Sequence, residues 1–118
     1  MKLASYSTPD DATVKVGLVR DGEIISLADN GIEGDMISLL EAGLDNDAIE
    51  AATQGRSGLS LSSVTLHAPV PLPGKILAIG LNYGDHIAET NSKPPKHQMW
   101  FNKQRNCANG PYGDINLP

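Results

Sequence analysis

The sequence predicts an α+β chain, in which a small unit of hairpin and helices precedes the first strands of a mostly β unit. Three observations carry this expectation. Two apolar runs between Val14 and Leu27 flank Arg20-Asp21-Gly22-Glu23, two helical stripes fill Asp35 to Ala52, and an apolar run from Lys75 to Ile79 follows a cluster of prolines.

The hairpin comes first in the argument because Asp-Gly is a strong turn signal. Both central positions of a type I′ turn need positive φ, which Asp tolerates and Gly adopts freely. Val14, Val16 and Leu18 alternate with Lys15 and Gly17, the period-two pattern of a half-buried strand. Lys2 to Ser7 reads as a further strand, ended by Thr8-Pro9-Asp10-Asp11. Met36, Ile37, Leu39 and Leu40 form a helical stripe that stops at Gly43. Asp47, Ala48, Ile49, Ala51 and Ala52 form a second, stopping near Gly55. Asp35 and either Asp45 or Asn46 are placed to cap the free N–H groups at the two helix starts.

Residues 53–63, rich in Gly, Ser and Thr, read as a loop, and Val64 to His67 as a short strand. Pro69, Pro71 and Pro73 then deny donors to any ladder and hold the chain extended, so the domain boundary falls here, with one domain at 1–68 and the next at 69–118. In the second, Lys75 to Ile79 is a buried-strand pattern, Asp85 to Thr90 a short helix, Gln98 to Asn102 a strand and Gly110 to Asp114 a turn.

Composition narrows the function. The 118 residues carry a net charge of −5, and their Lys and Arg are scattered, so no nucleic-acid footprint is expected. With one Trp, one Phe and three Tyr, the core must rest on aliphatic side chains. No run approaches the roughly 20 apolar residues of a membrane span, and Met1 to Ser7 lacks the apolar stretch of an export signal. Cys107 is the single cysteine, which rules out an intramolecular disulfide. The expected location is the cytoplasm, with no membrane partner.

Chemistry concentrates after the apolar run. Gly80-Leu81-Asn82-Tyr83-Gly84 is a bend that leads into His86 and Glu89, three residues apart and therefore on one face of a helix. A carboxylate beside an imidazole favours the protonated ring and fixes its tautomer, which outlines a general-base dyad. The same spacing also describes an ordinary solvated helix face. His67, His97 and Cys107 sit in contexts that suggest no reactivity, and the bend lacks the third glycine of a dinucleotide fingerprint.

The ordered run from Pro73 through Gly80-Leu81-Asn82-Tyr83, then Asp85-His86, Glu89, Pro94-Pro95 and Phe101-x-Lys103, resembles the opening of the catalytic domain of the fumarylacetoacetate hydrolase family. Trp100 to Gln104, with Cys107, Gly110-Pro111 and Ile115-x-x-Pro118, is similar to members that are diketo-acid hydrolases, isomerases or ureidoglycolate lyases. The resemblance is specific over about residues 69–118, and residues 1–68 resemble the family's variable N-terminal domain only loosely.

The resemblance implies a metal-dependent hydrolase or lyase acting on β-diketo or 2-oxo acids, by C–C or C–N cleavage, isomerisation or decarboxylation. His86 would be the base that activates water and Glu89 its orienting partner. Lys103 would neutralise a substrate carboxylate, with Tyr83 and Gln104 as further substrate contacts. A divalent ion, Mg²⁺, Mn²⁺ or Ca²⁺, is implied for the full-length family member. Its Glu-x-Glu and Asp ligands fall past position 118 in the family's order, so no residue here is assigned to metal. The expectation is a truncated chain, inactive alone, that binds its oxo-acid only when completed. Apolar surface at Ile76, Leu77 and Ile79 would then favour a homo-oligomer in which copies cover one another. The alternative is a non-catalytic standalone domain that binds a protein partner.

Overall fold

Asp21 and Gly22 have φ of 50° and 82°, so both adopt the left-handed conformation that a type I′ turn requires. They join strands β2 (Asp11–Arg20) and β3 (Glu23–Ser26), which pair antiparallel from Arg20↔Glu23 to Gly17↔Ser26 in the computed structural model. That structure describes residues 1–117; the Pro118 of the Ile115-x-x-Pro118 pattern lies outside them. Strand β1 (Leu3–Thr8) pairs with β2 from Leu3↔Leu18 through Tyr6↔Lys15, with a register shift between Tyr6 and Thr8.

Contacts group the chain into two units, Met1–Pro71 with the chain from Ala108 onward, and Leu72–Cys107. The first is built on a five-stranded sheet. Helices α1 (Met36–Glu41) and α2 (Asn46–Thr53) precede two short strands, β4 (Leu59–Ser60) and β5 (Thr65–Leu66), and the spatial order is β4-β3-β2-β1-β5. Because side chains alternate across a strand, Val16 and Leu18 of β2 share a face, and they form the core with Ile25, Leu27, Met36, Leu39 and Ile49. The Asp35 carboxylate accepts from the Ser38 N–H at 2.8 Å and Asp45 from the Ala48 N–H at 3.0 Å, so Asp45, not Asn46, is the second cap. Arg20 donates to the Thr53 carbonyl at 3.2 Å and pairs with Glu50, tying α2 to the end of β2.

The structure departs from the sequence reading at three places in this unit. The Pro9-Asp10 turn continues directly into β2, which begins at Asp11 because Thr8 pairs with Asp11 across the hairpin. Leu59 and Ser60, read as loop, form a strand on β3. Gly58 makes this approach feasible, since a Cβ there would lie 2.3 Å from the Ile24 carbonyl oxygen. Ala28–Asn30 forms one turn of 3-10 helix where no element was expected.

The start of β2 also carries a pH-dependent contact. Asp11 accepts a hydrogen bond from the Lys15 ammonium at 2.9 Å and from the Thr13 N–H at 2.9 Å, and these hold its carboxyl well below the ordinary carboxylate range. A depressed native pKa means that the unfolded chain binds the proton first. The contact's stabilisation is therefore complete above the unfolded value of about 4 and is lost as pH falls towards the native one. Urea denaturation of Asp11→Asn is expected to show a shallower loss of stability below about pH 4 than the unaltered chain. Identical acid limbs would contradict this.

In the second unit, β6 (Ile76–Gly80) and β7 (Met99–Lys103) pair antiparallel from Ile76↔Lys103 to Gly80↔Met99, with helix α3 (Gly84–Glu89) between them in sequence. A two-stranded ribbon is marginal by itself in water. This one leaves Leu77, Trp100 and Phe101 exposed at 60%, 58% and 45%, whereas Ile76 and Ile79, expected to be open, are half-buried. The α+β class expected from the sequence is the class observed.

Candidate functional site

The bend between β6 and α3 organises the second unit's polar groups. After Gly80 the chain turns at Leu81, whose φ of 50° is an uncommon conformation for a large apolar residue and costs backbone energy. Tyr83 stands at the N-cap of α3 without a side-chain cap, and Asp85 in the first turn favours the positive end of the helix. The far end of the helix is closed by a Schellman motif. The Ser92 N–H donates to the Ile87 carbonyl and the Asn91 N–H to the Ala88 carbonyl, with Asn91 left-handed at φ 51°.

On this six-residue helix His86 Nδ1 lies 3.9 Å from Glu89 Oε2. The separation exceeds a hydrogen bond but is within reach of a charge interaction. Both side chains are open to solvent, His86 54% and Glu89 81% exposed. The imidazole is therefore accessible to a small molecule. Thr90, which the sequence pattern does not single out, donates its hydroxyl to the His86 carbonyl at 2.9 Å and so holds the turn that carries the imidazole. Its one signal is a threonine four residues after a helical histidine, the spacing for such a bond.

A cleft of about 330 Å³ lies against the same bend, walled by Gly80, Leu81, Asn82, Ile87, Pro95 and His97. Tyr83 is 74% exposed beside it in sequence. Lys103 and Gln104 are not brought to the bend along the ribbon. Lys103 pairs with Ile76, four residues from the Gly80 end, about 13 Å along the strand. Its ammonium instead sits 5.4 Å from the centre of the Phe101 ring. Of the other histidines, His67 Nε2 lies 2.8 Å from the Ser7 hydroxyl at the β1–β5 seam, and the Cys107 thiol is exposed.

Among the described residues no three His, Cys, Asp or Glu side chains gather where they could hold a metal ion. The divalent ion implied by the family resemblance does not fit the His86–Glu89 pair alone, which offers two ligands at most. No helix among the described residues is long and apolar enough to cross a membrane.

No family model matches the chain. The chain is 46% identical over 57 residues to an oxaloacetate tautomerase, Fahd2a, of Rattus norvegicus, which covers 48% of this chain and 18% of the relative. It is 49% identical over 59 residues to the oxaloacetate tautomerase YisK of Bacillus subtilis, covering 48% and 19%. It is 40% identical over 60 residues to fumarylacetoacetate hydrolase domain-containing protein 2 of Pongo abelii, covering 51% and 19%. The chain thus spans about a fifth of the length of these relatives. A solved structure described as an HpcE protein from Mycobacterium smegmatis matches 99% of this chain and 41% of its own, with TM-score 0.71 and 24% identity, a likeness of fold. Over the matched segments, about half of this chain, the sequence is thus similar to fumarylacetoacetate hydrolase family proteins, and the solved neighbour shares its fold.

Proposed function

We propose that the strand, bend and helix around His86 supply the base of an enolising site for 2-oxo and β-diketo acids, with keto–enol exchange of oxaloacetate as its reaction. The observation that carries this reading is 46% and 49% identity to proteins named oxaloacetate tautomerases. His86 takes the proton from the carbon beside the carbonyl, the C–H electron pair becomes the enolate, and return of the proton to oxygen gives the enol. Glu89 stabilises the imidazolium in between. Hydrolysis or C–C cleavage would ask the same imidazole to take its proton from water. Tyr83, Lys103 and Gln104 are proposed as contacts to the substrate, Lys103 countering a carboxylate. A divalent cation is proposed for the working site, held by ligands other than these residues, and no step above passes through it.

The decisive test is a chimera in which residues 69–118 of this chain replace the corresponding segment of the Bacillus subtilis relative. The expected result is oxaloacetate tautomerisation within about tenfold of that relative, since one tenfold is about 1.4 kcal/mol of barrier. A folded chimera without activity would count against the proposal.

Two further parts of the proposal concern assembly and location. The exposed Leu77, Trp100 and Phe101 favour association with a second copy of the chain. Sedimentation velocity is expected to show dimers or larger species, and a monodisperse monomer would contradict it. Residence in the cytosol is also a proposal; the Rattus norvegicus relative is named mitochondrial.

A further inference from the structure

The sheet of the first unit has a second face, turned away from α1 and α2, and Tyr6 lies on it. Tyr6 stands opposite Lys15, and Gly17, two residues on, stands opposite Ser26. A Cβ at Gly17 would come within 2.5 Å of Ile24 Cγ1 and 3.0 Å of Tyr6 Cε1, so the missing side chain is what lets the Tyr6 ring lie across β2 towards β3. Tyr6 is only 2% exposed. Its hydroxyl makes no hydrogen bond among the described residues, yet no fully buried side-chain nitrogen or oxygen there lacks a partner. The hydroxyl therefore belongs to the small part of Tyr6 that solvent reaches.

Tyr6 lines a cavity of about 280 Å³ together with Ile24, Ser26, Asp29, Asn30 and Gly58 among others. Its polar wall is tied to Ser26 by hydrogen bonds. Asn30 Nδ2 donates to the Ser26 carbonyl at 2.7 Å, and the Asp29 N–H donates to the Ser26 hydroxyl at 3.2 Å. What remains free are acceptors. The Asn30 side-chain oxygen and the Asp29 carboxylate make no hydrogen bond or ion pair among the described residues. Lys15, which stands opposite Tyr6 across the strands, is committed to Asp11 at 2.9 Å. That bond is the main reason its ammonium holds its proton more tightly than usual.

We propose that this cavity binds a small organic cation, a primary ammonium on a short apolar body. The ammonium would donate to Asp29, Asn30 and the Tyr6 hydroxyl, and the body would rest on the Tyr6 ring, Ile24 and Leu59. This site lies wholly within the first unit and does not depend on the enolising reading.

Benzylammonium is the probe, titrated into the full chain and followed by amide chemical shifts. The expected result is saturable shifts centred on Tyr6, Ser26, Asp29 and Asn30 with a dissociation constant near about 1 mM, ordinary for a ligand of this size. Asp29→Asn should weaken binding about tenfold or more, the worth of a charged hydrogen bond. Tyr6→Phe, which keeps the ring and hence the packing, should weaken it less, and benzyl alcohol should not saturate. Absence of saturable shifts up to about 10 mM, equal binding by Asp29→Asn with an unchanged spectrum, or equal binding of benzyl alcohol would each overturn the proposal.

Discussion

Leu18→Ala is expected to destabilise the first unit by about 2–5 kcal/mol, the usual cost of emptying a buried leucine site. Leu18 is 1% exposed on the central strand of a five-stranded sheet. It packs in one cluster with Ile25, Leu27, Met36, Leu39 and Ile49, so the vacated volume has sheet on one side and two helices on the other. Strand neighbours are pinned by the Leu3↔Leu18 and Leu18↔Ile25 pairings and cannot close in. A unit of this size has little stability in reserve, and each kcal/mol lowers its midpoint by about 4–8 °C. Thermal unfolding followed by circular dichroism checks the expectation. Val14→Ala on the same strand, where the side chain is 40% exposed, should shift the midpoint far less. Equal shifts would mean that the core does not sit where the packing puts it.

His86→Asn in the chimera is expected to lower kcat for oxaloacetate by about 10²–10⁴-fold, the range for removing a positioned general base. Asparagine keeps a polar side chain on α3 but cannot accept and return a proton. Glu89→Gln keeps the size and removes the charge that favours the imidazolium. At 3.9 Å and 81% exposure that charge acts partly through water, so the loss should be smaller than for His86→Asn. A reversed order would assign the chemistry to the carboxylate. Lys103→Met should act mainly on KM, since the proposed role of Lys103 is to hold a carboxylate and not to move a proton.

Much of the first unit is readable from residues that act locally. Asp21-Gly22 dictates its turn through φ alone, and Asp35 and Asp45 cap their helices through bonds spanning three residues. Strand β4 is not readable in this way. Leu59 and Ser60 pair with β3 because Gly58 lets two backbones meet, a contact 35 residues apart that the Glu23 carboxylate reinforces by accepting from the Gly58 N–H at 3.0 Å. The start of β2 at Asp11 is likewise decided by pairing with Thr8 and not by hydrophobic pattern.

The candidate site shows the same division. The three-residue spacing of His86 and Glu89 places them together on any helix, and the structure puts them on one. Lys103 is different, because its distance from the bend follows from the register that opposes it to Ile76, and register is a property of two strands. The Schellman closure of α3 and the strained Leu81 that opens it are also beyond pattern reading, since Asn91 and Leu81 need positive φ that their neighbours do not announce.

The central claim is that His86 moves a proton at carbon. Deuterium incorporation at C3 of oxaloacetate, followed by proton NMR in D₂O, reports that step directly in the chimera and in its His86→Asn variant. The account predicts rapid exchange with His86 present and exchange slower by about 10²–10⁴-fold in the variant; exchange at the same rate in both would contradict it.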